Sequence, residues 1–249
     1  MRKEIQEQPS WLVDILEGRI GDGQLLDSAF GIGSEKVLDQ VKAVQIIACG
    51  TSYHAGLVAR YWLEAIAGVP CRVEVASEYR YRKTVLMDDT LVVTISQSDE
   101  TADTLAALRA IKELTDFTLS VCNVPESSLV RESKLKLMTR TGQEIGVAST
   151  KAFTTQLTSL LITSVAIAVE NGLSAEREKS IVQAMRSLPV HVNAALLEDA
   201  HIKKIADRFA NKHNALFLGR GTMFPIALAR LSEASCRVFL LLLDWGPSC

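Results

Sequence analysis

The chain has 249 residues, with 27 Lys+Arg against 29 Asp+Glu, a formal net charge of -2, 48% hydrophobic and 6% aromatic residues. That balance is a soluble globular one, not a disordered, collagenous or membrane one, and the length allows one large domain or two small ones. A near-neutral charge argues against a general nucleic-acid binder, which needs a basic excess, and the few aromatics argue against a stacking platform for single strands.

Trp11, Leu12, Ile15 and Leu16 share one face at helical period, so the opening segment reads as a helix, and Gly18, Gly21 and Gly23 mark the loop after it. Val44 to Cys49 is a short β-branched run ending at Gly50, the pattern of a buried parallel strand. A helix is predicted over Tyr53 to Ala67, with Leu57, Val58, Tyr61, Trp62 and Ala65 as its stripe and Gly68-Val69-Pro70 as its stop. Strands follow at Cys71 to Val75, Leu91 to Ser96, Phe117 to Cys122 and Leu135 to Thr139, with a helix from Thr101 to Leu114 between the second and third of these. A polar loop from Arg140 to Ser149 leads into a long helix ending at Glu170. Helices fit Ala175 to Leu188 and Asp199 to Ala210, and a new strand starts at Ala215 to Leu218.

The apolar stretch Leu157 to Val169 is broken by Ser159, Thr163 and Ser164 and falls short of the roughly 20 residues of a membrane span. The N-terminus lacks the apolar core of a signal peptide. Cys49, Cys71, Cys122, Cys236 and Cys249 are odd in number, far apart and without a C-x-x-C pair, so neither a disulfide framework nor a zinc site follows. The expected compartment is the cytoplasm, with no membrane or nucleic-acid partner.

Strands alternating with helices imply a parallel sheet covered on both faces. Such sheets bind ligands outside the C-terminal strand ends, where the strand order reverses. The loops there share a chemistry: Gly50-Thr51-Ser52 after the first strand, Ser96-Gln97-Ser98 with Thr101 after the third, and Val147-Ala148-Ser149-Thr150 after the fifth. Helix N-termini offer free N–H groups and a positive dipole end, and hydroxyls add neutral donors. Converging, they would cradle a phosphate without an Arg clamp. Each loop alone is more readily an ordinary N-cap than a ligand site. No P-loop and no strand-linked G-x-G-x-x-G is present.

Other residues admit two readings. Cys49 is a nucleophile or a small buried residue, and His54 is a ligand contact or a bystander. Glu144 could orient the loop before Val147. The run Tyr79-Arg80-Tyr81-Arg82-Lys83 is a basic patch or a polar intersubunit or solvated face, and Glu176 to Lys179 read as a solvated helix start. His191, His201 and His213 read as surface residues.

Several ordered stretches carry a resemblance. They are C-G-T-S (Cys49 to Ser52), A-S-E-Y-R-Y-R (Ala76 to Arg82), S-Q-S-D-E-T-A-D-T (Ser96 to Thr104), C-N-V-P-x-S-S-L-V-R-E-S (Cys122 to Ser133), E-I-G-V-A-S-T-K-A-F-T-T-Q (Glu144 to Gln156) and, later, L-G-R-G-x-x-F-P-I-A-L. They are similar to the isomerase half of the glucosamine-6-phosphate synthases, the glutamine–fructose-6-phosphate aminotransferases of the sugar-isomerase (SIS) superfamily. The resemblance implies α/β/α sandwiches with parallel sheets: one complete SIS subdomain and the start of a second. It implies that Thr51, Ser52, Ser96, Gln97, Ser98 and Thr101 contact a sugar phosphate, with Ser96, Ser98 and Thr101 mainly on the phosphate. Val147 and Ser149 would line the sugar. The family makes glucosamine 6-phosphate from fructose 6-phosphate and glutamine, uses no metal or organic cofactor, and dimerises through this half, so a homodimer is expected.

The departures shape what is expected of this chain. The family's glutaminase nucleophile is a cysteine at the mature N-terminus, and here position 2 is Arg2. The family's S-Q-S-G-E-T reads S-Q-S-D-E-T, with Asp99 in place of glycine. Two charges ~5 Å apart at an effective dielectric of ~20 repel by roughly 3 kcal/mol per unit charge, before exposure reduces it. Weakened phosphate binding is expected. From residue 229 the sequence no longer matches, and the family's catalytic glutamate, histidine and lysine lie in the part it fails to match, so no residue is assigned a catalytic role; Glu233 has the wrong surroundings. The expected division is 1–42 linker and N-terminal helices, 43–172 first SIS subdomain, 173–212 helical connector, and 213–249 truncated second subdomain. That second sheet would have essentially one strand, leaving Leu216, Phe217 and Leu218 without a full core. The chain is then a sugar-phosphate-binding fragment, inactive alone. The alternatives are a non-catalytic sugar-phosphate-sensing SIS module and a non-functional frameshifted product.

Overall fold

The computed structural model describes residues 1–31, 33–97, 102–146, 148–233 and 237–240. Two short helices, α1 (Arg2–Gln6) and α2 (Gln8–Leu16), open the chain, and α3 (Glu35–Leu38) precedes the sheet. The alternation then runs β1 (Ala43–Ala48), α4 (Gly50–Trp62), β2 (Cys71–Val75), α5 (Ala76–Tyr79), β3 (Thr90–Ser96), α6 (Ala102–Lys112), β4 (Thr118–Cys122), α7 (Ser128–Glu132), β5 (Leu135–Met138) and α8 (Lys151–Glu170). Beyond it lie α9 (Ala175–Leu196), α10 (Asp199–Asp207), β6 (Asn214–Phe217), α11 (Met223–Glu233) and β7 (Arg237–Leu240).

The first five strands form one parallel sheet in the order β2-β1-β3-β4-β5. Strands β1, β3 and β4 are buried along their whole length, as their near-continuous apolar sequences require. Alternate residues face opposite layers. Ile46, Val93, Val121 and Leu137 pack on the side of α4 and α8, where they share a core with Ala55, Ala59, Leu63, Leu160 and Ile162. Ile47 and Val92 face the other side, with Tyr79 of α5 and Ala107 and Ile111 of α6. Full burial of each large aliphatic side chain is worth about 1.5–3 kcal/mol. The three layers meet the expected α/β/α class.

Helix α4 differs from its predicted form. It starts at Gly50, three residues early, because φ +56° at that glycine turns the chain straight from strand into helix. Its sheet-facing side is Ala55, Gly56 and Ala59, while Tyr61 and Trp62 are half-buried and Ala65 is exposed. Small residues win that face because helix and sheet approach closely. A Cβ on Gly56 would lie 2.9 Å from Ile46 Cγ2 and 3.0 Å from Val73 Cγ1.

Helix α8 is long and apolar enough to cross a bilayer, but 67% of its apolar window is buried within the fold. Its hydroxyls do not obstruct that burial. Thr155, Thr158, Thr163 and Ser164 each donate to the carbonyl four residues back, at 2.8–2.9 Å. Helix α9 continues past the predicted end at Leu188, through Pro189, to Leu196. Leu188 and Val192 on either side of the proline both pack on the main core, which offsets the lost backbone bond. Glu178 is not solvated: it is 9% exposed and accepts the Leu25 amide at 2.7 Å.

The second sheet was expected to hold one strand. Its described residues form two, with β6 and β7 paired in parallel from Asn214↔Arg237 to Phe217↔Leu240. The two are joined through α11, which packs on α4 and buries Ala227 and Ala229. Leu216 and Leu218 remain exposed, at 51% and 58%.

Candidate functional site at the C-terminal edge of the first sheet

The strand order turns back between β1 and β3, so the crevice at their C-terminal ends is the switch point of this sheet. Their register runs from Ala43↔Thr90 to Ile47↔Thr94. Continued by two places it sets Cys49 beside Ser96, and Ser96 in turn pairs with Cys122 and Cys122 with Met138. The loops after β1, β3, β4 and β5 therefore leave the sheet in one row, with neighbouring strands roughly 4.8 Å apart.

The loop after β1 is the most compact. Cys49 is extended, Gly50 has a positive φ, and Thr51 and Ser52 sit in the first turn of α4. Cys49 makes no side-chain cap. The first-turn amides have no intrahelical acceptor and point out of the helix end beside the two hydroxyls. Ser52 is 8% exposed. His54, two places on, is half-buried, and burial lowers its imidazole pKa. Its Nδ1 is enclosed without a hydrogen-bond partner.

Ser96 closes β3 and is 4% exposed. Gln97 follows, half-buried, with its Oε1 shut away from solvent and without a hydrogen-bond partner. An enclosed acceptor of that kind costs about 1–3 kcal/mol unless something else satisfies it. Thus Thr51, Ser52, Ser96 and Gln97 all lie at the switch edge, as the sequence predicted. Ser98, Asp99, Thr101 and Val147 lie outside the described residues.

The loop after β5 is built differently. Asn123, from the loop after β4, holds it with four bonds. Its Oδ1 accepts the Thr141 amide (2.8 Å) and the hydroxyls of Thr139 (3.1 Å) and Thr141 (3.0 Å), and its Nδ2 donates to the Gly142 carbonyl (2.7 Å). Thr139 and Thr141 are fully buried. Glu144 reaches forward to the start of α8. One oxygen accepts the Thr150 and Ala152 amides at 2.8 and 3.3 Å, and the other accepts the Ser149 hydroxyl at 3.1 Å. The carboxylate at a helix N-terminus satisfies orphan amides and meets the positive dipole end. Ser149 is thereby fixed in orientation just before α8.

The other sequence candidates resolve simply. Cys49 is half-buried. The basic run is neutralised locally: Arg80 pairs with Asp103 and Arg82 forms a fork with Glu74, which raises both guanidinium pKa values. Tyr79 is buried in the smaller core. His191, His201 and His213 are exposed. Among the described residues no group of three or more His, Cys, Asp or Glu converges as metal ligands. Among the described residues, two cavities lie away from this edge: one of about 510 Å³ at the opposite end of the sheet, around Val85, Met87 and Leu114, and an apolar one of about 230 Å³ between α2, α8 and α9.

A family model of the SIS domain matches residues 37–166, the span that holds the five-stranded sheet and most of α8. The chain belongs to the SIS-domain family. Within it, this SIS chain is 57% identical over 230 residues to a glutamine–fructose-6-phosphate aminotransferase from Pseudomonas putida, covering 92% of this chain and 38% of that relative. The corresponding protein of Haemophilus influenzae is 54% identical over 240 residues, covering 96% and 39%. The chain thus spans about two fifths of the length of the curated relatives it matches. The C-terminal domain of glucosamine-fructose-6-phosphate aminotransferase from Francisella tularensis superposes with a TM-score of 0.90 at 42% identity, covering 96% of this chain and 69% of that one. The SIS fold and the kinship with the isomerase half of these enzymes are therefore both established.

Sequence reasoning missed the partners of the third loop. Nothing in its own residues names Asn123, and nothing in the opening helices announces what they contribute to it.

Proposed function

We propose that this chain binds a hexose 6-phosphate, fructose 6-phosphate or glucosamine 6-phosphate, at the β1/β3 edge. In this reading Thr51, Ser52, Ser96 and Gln97, with Ser98 and Thr101, take the phosphate and its neighbouring hydroxyls, and Val147 and Ser149 line the sugar. The observation that carries it is the Gln97 amide oxygen, enclosed and unpartnered at the point where two hydroxyl loops and a helix N-terminus meet. A sugar hydroxyl supplies the missing donor, and the α4 first turn supplies amides for the anion. Neutral donors suit a ligand that must leave again, because they hold a dianion without an Arg clamp.

The binding belongs to the isomerase part of the activity for which the relatives are named: amination and isomerisation of fructose 6-phosphate with glutamine as donor. No residue of this chain is assigned the proton transfers of that reaction. A cytoplasmic location and a homodimer belong to the same proposal. The observed topology supports the reading because ligands of doubly wound sheets sit at the switch point.

Titration calorimetry tests it with fructose 6-phosphate, glucosamine 6-phosphate, inorganic phosphate and fructose. Binding of the first three and none of fructose is expected. Absence of heat with both sugar phosphates at millimolar concentration would overturn the proposal. An assay for glucosamine 6-phosphate formed from fructose 6-phosphate and ammonia then separates binding from turnover.

A further inference from the structure

The opening helices do more than cover the sheet. Glu4 of α1 is 6% exposed, and one of its oxygens accepts the amides of Ile145 (2.6 Å) and Gly146 (3.0 Å), in the loop that leads to Ser149. A Cβ on Gly146 would lie 2.5 Å from the other Glu4 oxygen, so glycine is what lets the carboxylate come this close. Glu7 takes the buried Lys151 ammonium at 3.0 Å and the Trp11 indole at 3.4 Å, and Lys151 also lies 5.1 Å from the centre of the Trp11 ring. Trp11 stands under the same loop, since a Cβ on Gly142 would meet its ring at 3.1 Å. Lower down, Arg140 donates to the Glu17 carbonyl at 3.2 Å, at the end of α2. Buried Arg19 donates to the Ile15 carbonyl at 3.0 Å and to the carbonyl of Met138, the last residue of β5. Residues from Met138 to Lys151 are thus gripped at five points by a segment at least 119 positions earlier.

We propose that Glu4 is a positioning residue for the sugar half of the site: its carboxylate fixes the backbone at Ile145 and Gly146, and so sets where Ser149 stands. The Met1 ammonium and these two amides hold the carboxyl down at about 2, so the grip is charged at any pH near neutrality. Among the described residues, the hydrogen bonds and ion pairs of Glu4 go to Ile145, Gly146 and Met1 and not to the loops after β1 and β3. Its removal therefore acts on the sugar and spares the phosphate, a division that general destabilisation does not produce. This inference rests on the sugar-phosphate reading above.

The test uses Glu4→Ala and Glu4→Gln in the full chain. Amide exchange followed by NMR is expected to quicken at least tenfold at Ile145 and Gly146 in Glu4→Ala. Glu4→Gln keeps an acceptor oxygen of the same reach, and it is expected to restore most of the protection. By calorimetry, fructose 6-phosphate affinity is expected to fall about tenfold in Glu4→Ala while inorganic phosphate affinity stays as in the parent. Unchanged exchange at those two amides, or an equal loss for both ligands, overturns the proposal. If Glu4→Ala does not fold, Glu4→Gln carries the same comparison with a smaller expected change. A parent chain that binds neither sugar phosphate overturns the proposed function and the positioning role with it, while the exchange data still decide the grip itself.

Discussion

The loop after β1 and the loop after β5 flank the same sheet edge, yet they are held in place by different means. The first is local. Gly50 makes the turn, Thr51 and Ser52 follow at once, and Gly56 seats α4 against Ile46 and Val73. The second is held from a distance, by Asn123 from the loop after β4, by Glu144 within it, and by Glu4, Glu7 and Trp11 from the opening helices. The division suits their proposed tasks. A phosphate needs a fixed set of amides and hydroxyls, which one tight turn provides. The wall proposed to line the sugar is instead held by interactions that reach it from other parts of the chain.

The most forceful way to break this comparison is through the phosphate side. Ser96→Ala and Ser52→Ala each remove a hydroxyl assigned to an anion, an interaction worth about 1.5–3 kcal/mol. Each is expected to weaken inorganic phosphate and fructose 6-phosphate together, by roughly 10- to 100-fold. Unaltered titration curves for both ligands would remove these residues from the cradle. On the other side, Asn123→Ala strips four hydrogen bonds and leaves the buried Thr139 and Thr141 hydroxyls without it. A stability loss of about 2 kcal/mol is expected from urea unfolding, with fructose 6-phosphate weakened and inorganic phosphate unaffected. Should phosphate binding fall as well, the two loops are one unit and the distinction fails.

That distinction also explains how much was legible in the sequence. The five strands, their parallel order of folding and the hydroxyl loops could be read because each is encoded within a few adjacent residues: β-branched runs, then Gly, then Ser or Thr. The start of α4 was placed at Tyr53 because Gly50-Thr51-Ser52 looks like a loop, and only the positive φ at Gly50 shows that the helix begins there. The helix predicted to end at Leu188, just before Pro189, runs on to Leu196, because Leu188 and Val192 are held by core contacts that no local pattern shows. The short helices α5 and α7 were missed because four or five residues carry no period; tertiary packing of Tyr79, Leu129 and Val130 makes them. In the sequence Glu4 is one of several charges close to Met1, and nothing singles it out. Its role depends on Ile145 and Gly146, which no spacing in the sequence brings near it.

A smaller effect is expected at Asp99, where the resemblance of the S-Q-S-D-E-T run implies a glycine and where a carboxylate is proposed to weaken anion binding. Screening by salt and water cuts a repulsion of roughly 3 kcal/mol, so Asp99→Gly is expected to gain about tenfold in affinity for inorganic phosphate and fructose 6-phosphate alike. Calorimetry giving the same constants for both forms would show that Asp99 stands clear of the ligand. An increase confined to the sugar phosphate would instead transfer Asp99 to the other side of the comparison.

The finest separation is by pH. Glu4 falls from its ordinary 4.5 to about 2 in the folded chain, through the Met1 ammonium first and then the Ile145 and Gly146 amides. A folded-state pKa below the unfolded one means that the contribution to stability is complete above about pH 4.5 and is lost as pH falls from there towards about 2. The urea midpoint of the parent is therefore expected to drop more steeply than that of Glu4→Ala over this range. Glu7, lowered through Lys151, adds to the slope in both proteins and cancels in the difference. The phosphate side follows another curve. The ligand's own second ionisation, near pH 6, governs how much dianion is available, so affinity weakens well before Glu4 takes up a proton. Parallel pH profiles for Glu4→Ala and the parent between about pH 4.5 and 2 would mean that the Glu4 carboxylate adds nothing to stability, and would leave the long-range hold on the third loop to Asn123, Glu7 and Trp11.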